Sequence, residues 1–147
     1  MKKHSYKITT RWGDIDAFGH VNNATYLTYI QEARVDFTWY ARQRRDEKPL
    51  LLDMVVARAE IDYLSPIYDG HKELDIAVWV GRIGTSSYLL KYEVSADGVI
   101  FSRAQTVQVT VSMQTHKSRP ITDEEREFLL QYQEDQTSAG DSENQKK

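Results

Sequence analysis

Asp16 stands in a short run whose residue types could do acyl chemistry: Gly13-Asp14-Ile15-Asp16-Ala17-Phe18-Gly19-His20-Val21-Asn22-Asn23. A carboxylate can act as a base towards water or as a nucleophile towards an activated acyl carbon. Gly13 and Gly19 permit the sharp turns that bring backbone close to a ligand. Asn22 and Asn23 then offer helix N-cap chemistry, because an Asn side chain can take up one of the amide N–H groups that a helix start leaves unpaired. The N–H groups that stay free form a partial positive pole, suited to a developing oxyanion. Asp16 lies just upstream of that pole. Hydrolysis of an activated acyl group needs a base or nucleophile and a cradle for negative charge, and this stretch offers both.

Each of these residues also has a plainer reading. An Asp in a loop commonly bonds to nearby backbone; Asp14 is read that way and left outside the chemistry, whereas Asp16 is carried forward. His20 either orients Asp16 or a water, or packs and bonds the loop. Asn22 reads first as a structural cap. His4, His20, His71 and His116 are scattered without ligand spacing, and there is no cysteine, so neither a metal nor another cofactor is expected. No Gly-x-Ser-x-Gly motif is present. A thioester does not require one, since a thiolate leaves readily.

The elements that must position Asp16 follow from periodicity. Tyr6, Ile8 and Trp12 alternate with Lys7, Thr9 and Arg11, predicting a first strand. Residues 24–43 lack Gly and Pro and carry Tyr26, Leu27, Tyr29, Ile30, Ala33, Phe37, Tyr40 and Ala41 at helical spacing. So broad an apolar sector predicts a long helix covered on most sides, with Glu32, Arg34 and Asp36 at an edge. The aromatic set Tyr26, Tyr29, Phe37, Trp39 and Tyr40 reads as core before it reads as a substrate box. Arg42, Arg44, Arg45 and Lys48 close the helix, either as a solvated end or as a site for phosphates, and Pro49 bars continuation.

Four strands come next: Met54 to Tyr63, Leu74 to Val80, Tyr88 to Val94, and Val99 to Met113. Leu64-Ser65-Pro66 and Tyr68-Asp69-Gly70 form the first turn, and Ala96-Asp97-Gly98 a tight hairpin. Short links between the last three strands argue an antiparallel meander in an α+β domain. Thr122 with Glu125 forms a capping box that opens a short C-terminal helix bearing Phe128, Leu129 and Tyr132. One domain is expected over residues 1–133, and 134–147, without a large apolar residue, reads as a frayed polar tail. The last strand, Val99 to Met113, is expected to expose an edge that a second copy covers, making a homodimer whose pockets draw walls from both chains.

Composition excludes several classes. A net charge of −3 over 147 residues is not that of a nucleic-acid surface, and no stretch reaches 18 continuous apolar residues to span a membrane. The start Met1-Lys2-Lys3-His4 has no apolar run behind it, so no signal peptide is expected, and a cysteine-free chain is compatible with a reducing, cytoplasmic setting.

The stretch Trp12-Gly13-Asp14-Ile15-Asp16-Ala17-Phe18-Gly19-His20-Val21-Asn22-Asn23-Ala24-Thr25-Tyr26 resembles the signature of the 4-hydroxybenzoyl-CoA thioesterase-like family. The resemblance implies a hotdog fold, a five-stranded antiparallel sheet wrapped around a long central helix, with dimers or dimers of dimers. It also implies acyl-CoA or aryl-CoA thioester hydrolysis, with Asp16 as the catalytic carboxylate and the backbone N–H of Asn23 as the donor that polarises the thioester carbonyl. His20-Val21-Asn22-Asn23 is similar to a segment of plant acyl-ACP thioesterases, which have Asp-x-Asn-x-His where this chain has Asp16-Ala17-Phe18-Gly19-His20. Phe18 in place of the amide makes the pocket mouth more apolar. The candidate catalytic set is therefore Asp16, His20 and Asn23, with Phe18, Asn22, Tyr26, Glu60, Tyr63 and Ser87 as candidate substrate contacts. Hydrolysis of an acyl-ACP, a hydratase on the same fold and a non-catalytic acyl-binding module are the alternatives.

Overall fold

The structure is a computed structural model that describes residues 1–135. Five strands, β1 (His4–Thr9), β2 (Met54–Tyr63), β3 (Glu73–Ile83), β4 (Ser87–Ala96) and β5 (Val99–Thr110), form one antiparallel sheet in the order β1-β3-β4-β5-β2. A helical run of 20 residues, Thr25 to Arg44, lies between β1 and β2 in the chain and packs on one face of the sheet. A short helix, Asp123–Leu130, closes the far end. This is the hotdog layout. Among the described residues no helix is long and apolar enough to cross a membrane.

Local chemistry accounts for most of these elements. β4, and β3 as far as Val80, alternate strictly, so Leu74, Ile76, Val78, Val80, Tyr88, Leu90, Tyr92 and Val94 are buried beneath the helix. Full burial of each aliphatic side chain contributes roughly 2 kcal/mol. The β4–β5 hairpin turns on Asp97 and Gly98, both at positive φ (52° and 78°), as a tight Asp-Gly turn requires. The capping box of the C-terminal helix forms as its sequence predicts: Thr122 Oγ1 accepts from the Glu125 N–H at 3.1 Å, and Glu125 accepts from the Thr122 N–H at 2.9 Å. The strand predicted from Tyr6 stops at Thr9, and Trp12 leaves it for a 3-10 turn where its side chain is 84% exposed.

The long helix differs from its expected form. A π-helical turn, Asp36–Tyr40, interrupts it, and the Ala41 N–H donates to the Asp36 carbonyl. The wider turn inserts a residue and carries the buried face from Ala33 through Phe37 to Ala41, turning Trp39 and Tyr40 outward. Trp39 and Tyr40 are therefore surface residues, not core. Arg34 and Asp36, expected at an exposed edge, are instead buried, at 7% and 3% exposure. Asp36 is held by His4 Nε2 at 2.8 Å and by Arg44 at 3.0 and 3.1 Å. The rest of the basic run is also engaged locally: Arg42 Nε donates to the Lys48 carbonyl at 2.7 Å, Arg45 pairs with Glu47, and Lys48 with Glu124.

Alternation along β5 does not say which face is inside. The buried face is the polar one, with Ser102, Thr106, Gln108 and Thr110, while Val107 and Val109 lie half-exposed on the opposite side. Thr110 Oγ1 donates to the Arg119 carbonyl at 2.6 Å, Gln108 Nε2 to the Tyr88 carbonyl at 3.2 Å, and Thr106 pairs with Tyr92, which also accepts from Arg34. Nor is β5 an edge, as expected from its length; it sits between β4 and β2. The chain crosses over after the helix, so the sheet's two edges are β1 and β2, and on β2 Val55 and Val56 are 51% and 42% exposed.

At the C-terminus, the Glu134 N–H donates to the Val80 carbonyl at 2.8 Å and its carboxylate pairs with Lys91 at 2.6 Å. These contacts fall at the start of the expected tail, most of which, 136–147, lies outside the described residues.

Burial of His4 lowers its pKa below the ordinary 6.5 against the opposing pull of Asp36, with the charges of Arg45 and Arg44 adding to the lowering. A group whose folded pKa is depressed contributes stability that is fully present above its unfolded pKa and is lost as pH falls through the folded one. The melting temperature should thus drop between pH 7.5 and 5.5 by more in the wild type than in His4→Gln. Equal drops in thermal unfolding would show that His4 is not the responsible group.

Candidate active site

The loop between β1 and the long helix is built outward from Asp14, not from Asp16. Asp14 is buried and accepts three hydrogen bonds: from the Tyr29 hydroxyl at 2.6 Å, the Arg11 N–H at 3.0 Å and Arg11 Nη2 at 3.2 Å. Burial pushes its pKa up, but these donors outweigh burial and leave it below the usual carboxylate value. Asp14 thereby pins the loop to the second turn of the helix. Ile15 and Val21 form an isolated antiparallel bridge, the Asp16 N–H donates to the His20 carbonyl at 3.0 Å, and Gly19, at φ 84°, donates its N–H to the Asp16 carbonyl at 3.0 Å. Only a residue tolerant of positive φ closes this turn without strain.

That framework presents the Asp16 carboxylate at the surface of the loop, with its side chain 20% exposed. One oxygen accepts from the Phe18 N–H at 2.9 Å, and the other lies 3.4 Å from Asn22 Nδ2. His20 does not orient it by a direct hydrogen bond: Nδ1 is 3.9 Å from the carboxylate and 3.2 Å from the Val21 carbonyl. A carbonyl only accepts, so Nδ1 carries the proton and Nε2 is the nitrogen left for other work. Phe18 stacks on the His20 ring at 6.3 Å and stands 83% exposed.

The helix start differs in detail from a side-chain N-cap at its first position. Ala24 occupies the cap with helical angles, and Asn22, two residues earlier, does the capping: its Oδ1 accepts from the Ala24 N–H at 2.9 Å and its carbonyl from the Thr25 N–H at 2.9 Å. The Asn23 N–H has no acceptor among the described residues. It is therefore available to an outside oxygen at the positive end of the helix.

Asn23 and His20 line a cleft of about 170 Å³ with Tyr26, Tyr63, Leu64 and Pro66. Tyr26 is buried with its ring edge-on to Tyr63 at 5.1 Å, and the Tyr63 hydroxyl donates to the Asn23 carbonyl at 2.9 Å. Of the six candidate substrate contacts, Tyr26 and Tyr63 line this cleft, and Phe18 and Asn22 stand beside it in the Asp16 loop. Glu60 and Ser87 do not reach it within one chain. Glu60 pairs with Gln105 and Tyr63 with Ser102, positions three apart along each strand, so the two side chains fall on opposite faces of the sheet. Ser87 pairs with Val109, seven residues along β5 from Ser102, which places it roughly 23 Å from the Tyr63 end. The wall residues Leu64 and Pro66 were read only as turn formers; their place directly after Tyr63 was the available signal. Among the described residues, no group of three or more His, Asp or Glu could hold a metal ion.

The family model for the thioesterase-like superfamily matches residues 10–129, which include the whole loop and cleft. The chain belongs to this superfamily. It is a thioester hydrolase by family. Among curated relatives, the uncharacterized protein YsmA of Bacillus subtilis is 33% identical over 125 residues, covering 84% of this chain and 83% of its own. A 1,4-dihydroxy-2-naphthoyl-CoA hydrolase of Synechococcus elongatus is 27% identical over 134 residues, covering 88% and 96%. Among solved structures, a Thermus thermophilus thioesterase complexed with coenzyme A and Zn superposes with a TM-score of 0.73 at 29% identity, over 87% of this chain and 92% of that one. The 1,4-dihydroxy-2-naphthoyl-CoA thioesterase of Synechocystis has a TM-score of 0.73 at 18% identity, over 88% and 96%, a likeness of fold.

Proposed function

We propose that this thioesterase hydrolyses acyl-CoA or aryl-CoA thioesters to the free acid and CoA, with Asp16 as base or nucleophile and the Asn23 N–H as oxyanion donor. The observation that carries this reading is the shared hold of Asn22, whose side chain contacts the Asp16 carboxylate at 3.4 Å and caps the helix turn beside the unpartnered Asn23 N–H. The substrate carbonyl oxygen meets that N–H, while Asp16 either deprotonates an attacking water or attacks the carbonyl carbon itself. The C–S bond then breaks and CoA leaves as thiolate. In the second route, water opens the resulting mixed anhydride. Tyr26, Tyr63 and Phe18 provide aromatic surface for the acyl or aryl group, and coenzyme A in the Thermus relative supports CoA as the carrier. The Arg42 to Lys48 run is a poor candidate for its phosphates, because those cations are already paired.

Free-thiol release from a panel of alkanoyl-CoA, benzoyl-CoA and naphthoyl-CoA thioesters, with the acyl-ACP of the preferred acyl group alongside, tests the reading. Turnover of a CoA thioester supports it. Binding without thiol release, or turnover of the acyl-ACP alone, overturns it.

The free edge at β2 supports a second part of the proposal, a homodimer. Pairing β2 with its counterpart about a two-fold axis would join two sheets into one of ten strands and cover Val55 and Val56. Tyr63 ends that edge strand, so the cleft would lie near the seam and take walls from both chains. Light scattering should report a dimer, and activity should fall as the dimer dissociates on dilution. A monomer with full activity would sink both the dimer and the shared cleft.

A further inference from the structure

We propose that Tyr63 is a positioning residue that sets the aim of the Asn23 N–H, acting with Asn22 from opposite ends of one peptide group. This rests on the reading of Asn23 as oxyanion donor and adds the part that holds the donor in place.

The peptide between Asn23 and Ala24 is gripped twice. Its carbonyl accepts from the Tyr63 hydroxyl at 2.9 Å, and its N–H donates to Asn22 Oδ1 at 2.9 Å. A peptide group is planar, so bonds at both ends fix the orientation of the whole plane. The preceding peptide, to which the Asn23 N–H belongs, is held through its carbonyl, since the Asn22 carbonyl accepts from the Thr25 N–H at 2.9 Å, and the peptide before that is anchored where the Asn22 N–H donates to the Asp14 carbonyl at 2.9 Å. With the planes on both sides of Asn23 held, its two backbone dihedrals have little freedom left, and its own N–H is the group without a partner among the described residues. The Thr25 bond to the Asn22 carbonyl also polarises the peptide that carries this N–H, strengthening it as a donor.

Three of these four holds come from residues 14–25, within the loop and first turn. Tyr63 is the exception. It reaches from the end of β2, forty residues away in sequence, and its ring is steadied by edge-on packing against buried Tyr26. Without it, the Asn23 carbonyl is free to rotate towards water, and the loop alone must hold the geometry that an oxyanion site requires to be pre-set. Tyr63 is half-exposed, so removing its hydroxyl leaves no buried group unpaired and should hardly disturb the fold.

The test is Tyr63→Phe, which removes one oxygen and keeps the ring. Three readouts are needed: steady-state kinetics on the preferred thioester, thermal unfolding, and the amide resonances of Asn23 and Ala24 in a nitrogen-15 correlation spectrum of the ligand-free protein. The expected result is a kcat lower by about tenfold, a fraction of the 10²–10³ that losing a whole oxyanion donor costs. KM should stay within about twofold. The melting temperature should be unchanged while both amide resonances move. A rise in KM with kcat preserved would make the Tyr63 hydroxyl a direct substrate contact rather than a clamp and overturn the proposal. Unmoved resonances would show that there is no clamp. Resonances that move while kcat stays at the wild-type value would show a clamp on a group that does not act on the oxyanion, so the assignment of Asn23 itself fails.

Discussion

Asp16→Asn and Asp16→Ala should each lower kcat by about a hundredfold or more while leaving the melting temperature and substrate affinity close to wild type, the scale expected for losing positioned acid–base or nucleophilic chemistry. The structure makes the comparison clean. Asp16 is on the outer side of the loop, and among the described residues its carboxylate accepts only from the Phe18 N–H and the Asn22 side chain, both of which can turn to water when it is changed. Among the described residues no buried donor depends on it. His20→Ala is the graded companion: because His20 Nδ1 serves the Val21 carbonyl, a smaller loss of kcat is expected, through Nε2 or through the Phe18 stack. Steady-state thiol release measures both. Wild-type kcat in either Asp16 variant would remove this residue from the mechanism.

Two residues upstream, the same substitution should have the opposite signature. Asp14→Ala leaves the Tyr29 hydroxyl, on a ring that is 2% exposed, without its acceptor and frees the Arg11 backbone that closes the 3-10 turn. Stranding a buried donor costs about 1–3 kcal/mol, and a charged acceptor with three donors belongs at the upper end. About 3 kcal/mol corresponds to a fall of roughly 10 °C in the melting temperature of a chain this size. Activity at low temperature should fall less than for Asp16, provided the loop still closes through Ile15 and Val21. The acid limb supplies a second check. Because the folded pKa of Asp14 is depressed, its contribution is complete above the ordinary value of 3.8 and disappears as pH falls through the folded one, so the variant should lose less stability on acidification than the wild type. Thermal unfolding of the two proteins from pH 7 to pH 3 measures both effects; a melting temperature within 2 °C of wild type at neutral pH would show that Asp14 does not anchor the loop.

Asp14 also marks where reading the chain by residue type succeeds. Its part as a backbone partner inside a tight turn follows from local pattern, and the structure shows it accepting from the Arg11 N–H. The same is true of the Asp97-Gly98 hairpin, the Thr122–Glu125 box and the bounds of β2, because turn dihedrals, capping and strand alternation depend on residues within about four positions of each other. The 20-residue helix is legible for the same reason.

What lay beyond reach depends on partners far along the chain. The burial of Asp36 is decided by His4, 32 residues earlier, and the π-helical turn that brings it inward exposes Trp39 and Tyr40. Period-two alternation says that β5 has two faces, but only the bonds to Tyr88, Tyr92 and Arg119 make the polar face the buried one. The placing of β2 rather than β5 at an edge, and with it the delivery of Tyr63 but not Ser87 to the helix start, follows from a crossover over the sheet. The sequence by itself determined the elements and the acid-bearing loop, since these answer to short-range sterics and hydrogen bonding. Tertiary structure decided which face is wet, which edge is open and which distant residue holds Asn23, because each is settled by competition among non-local contacts that no local window contains.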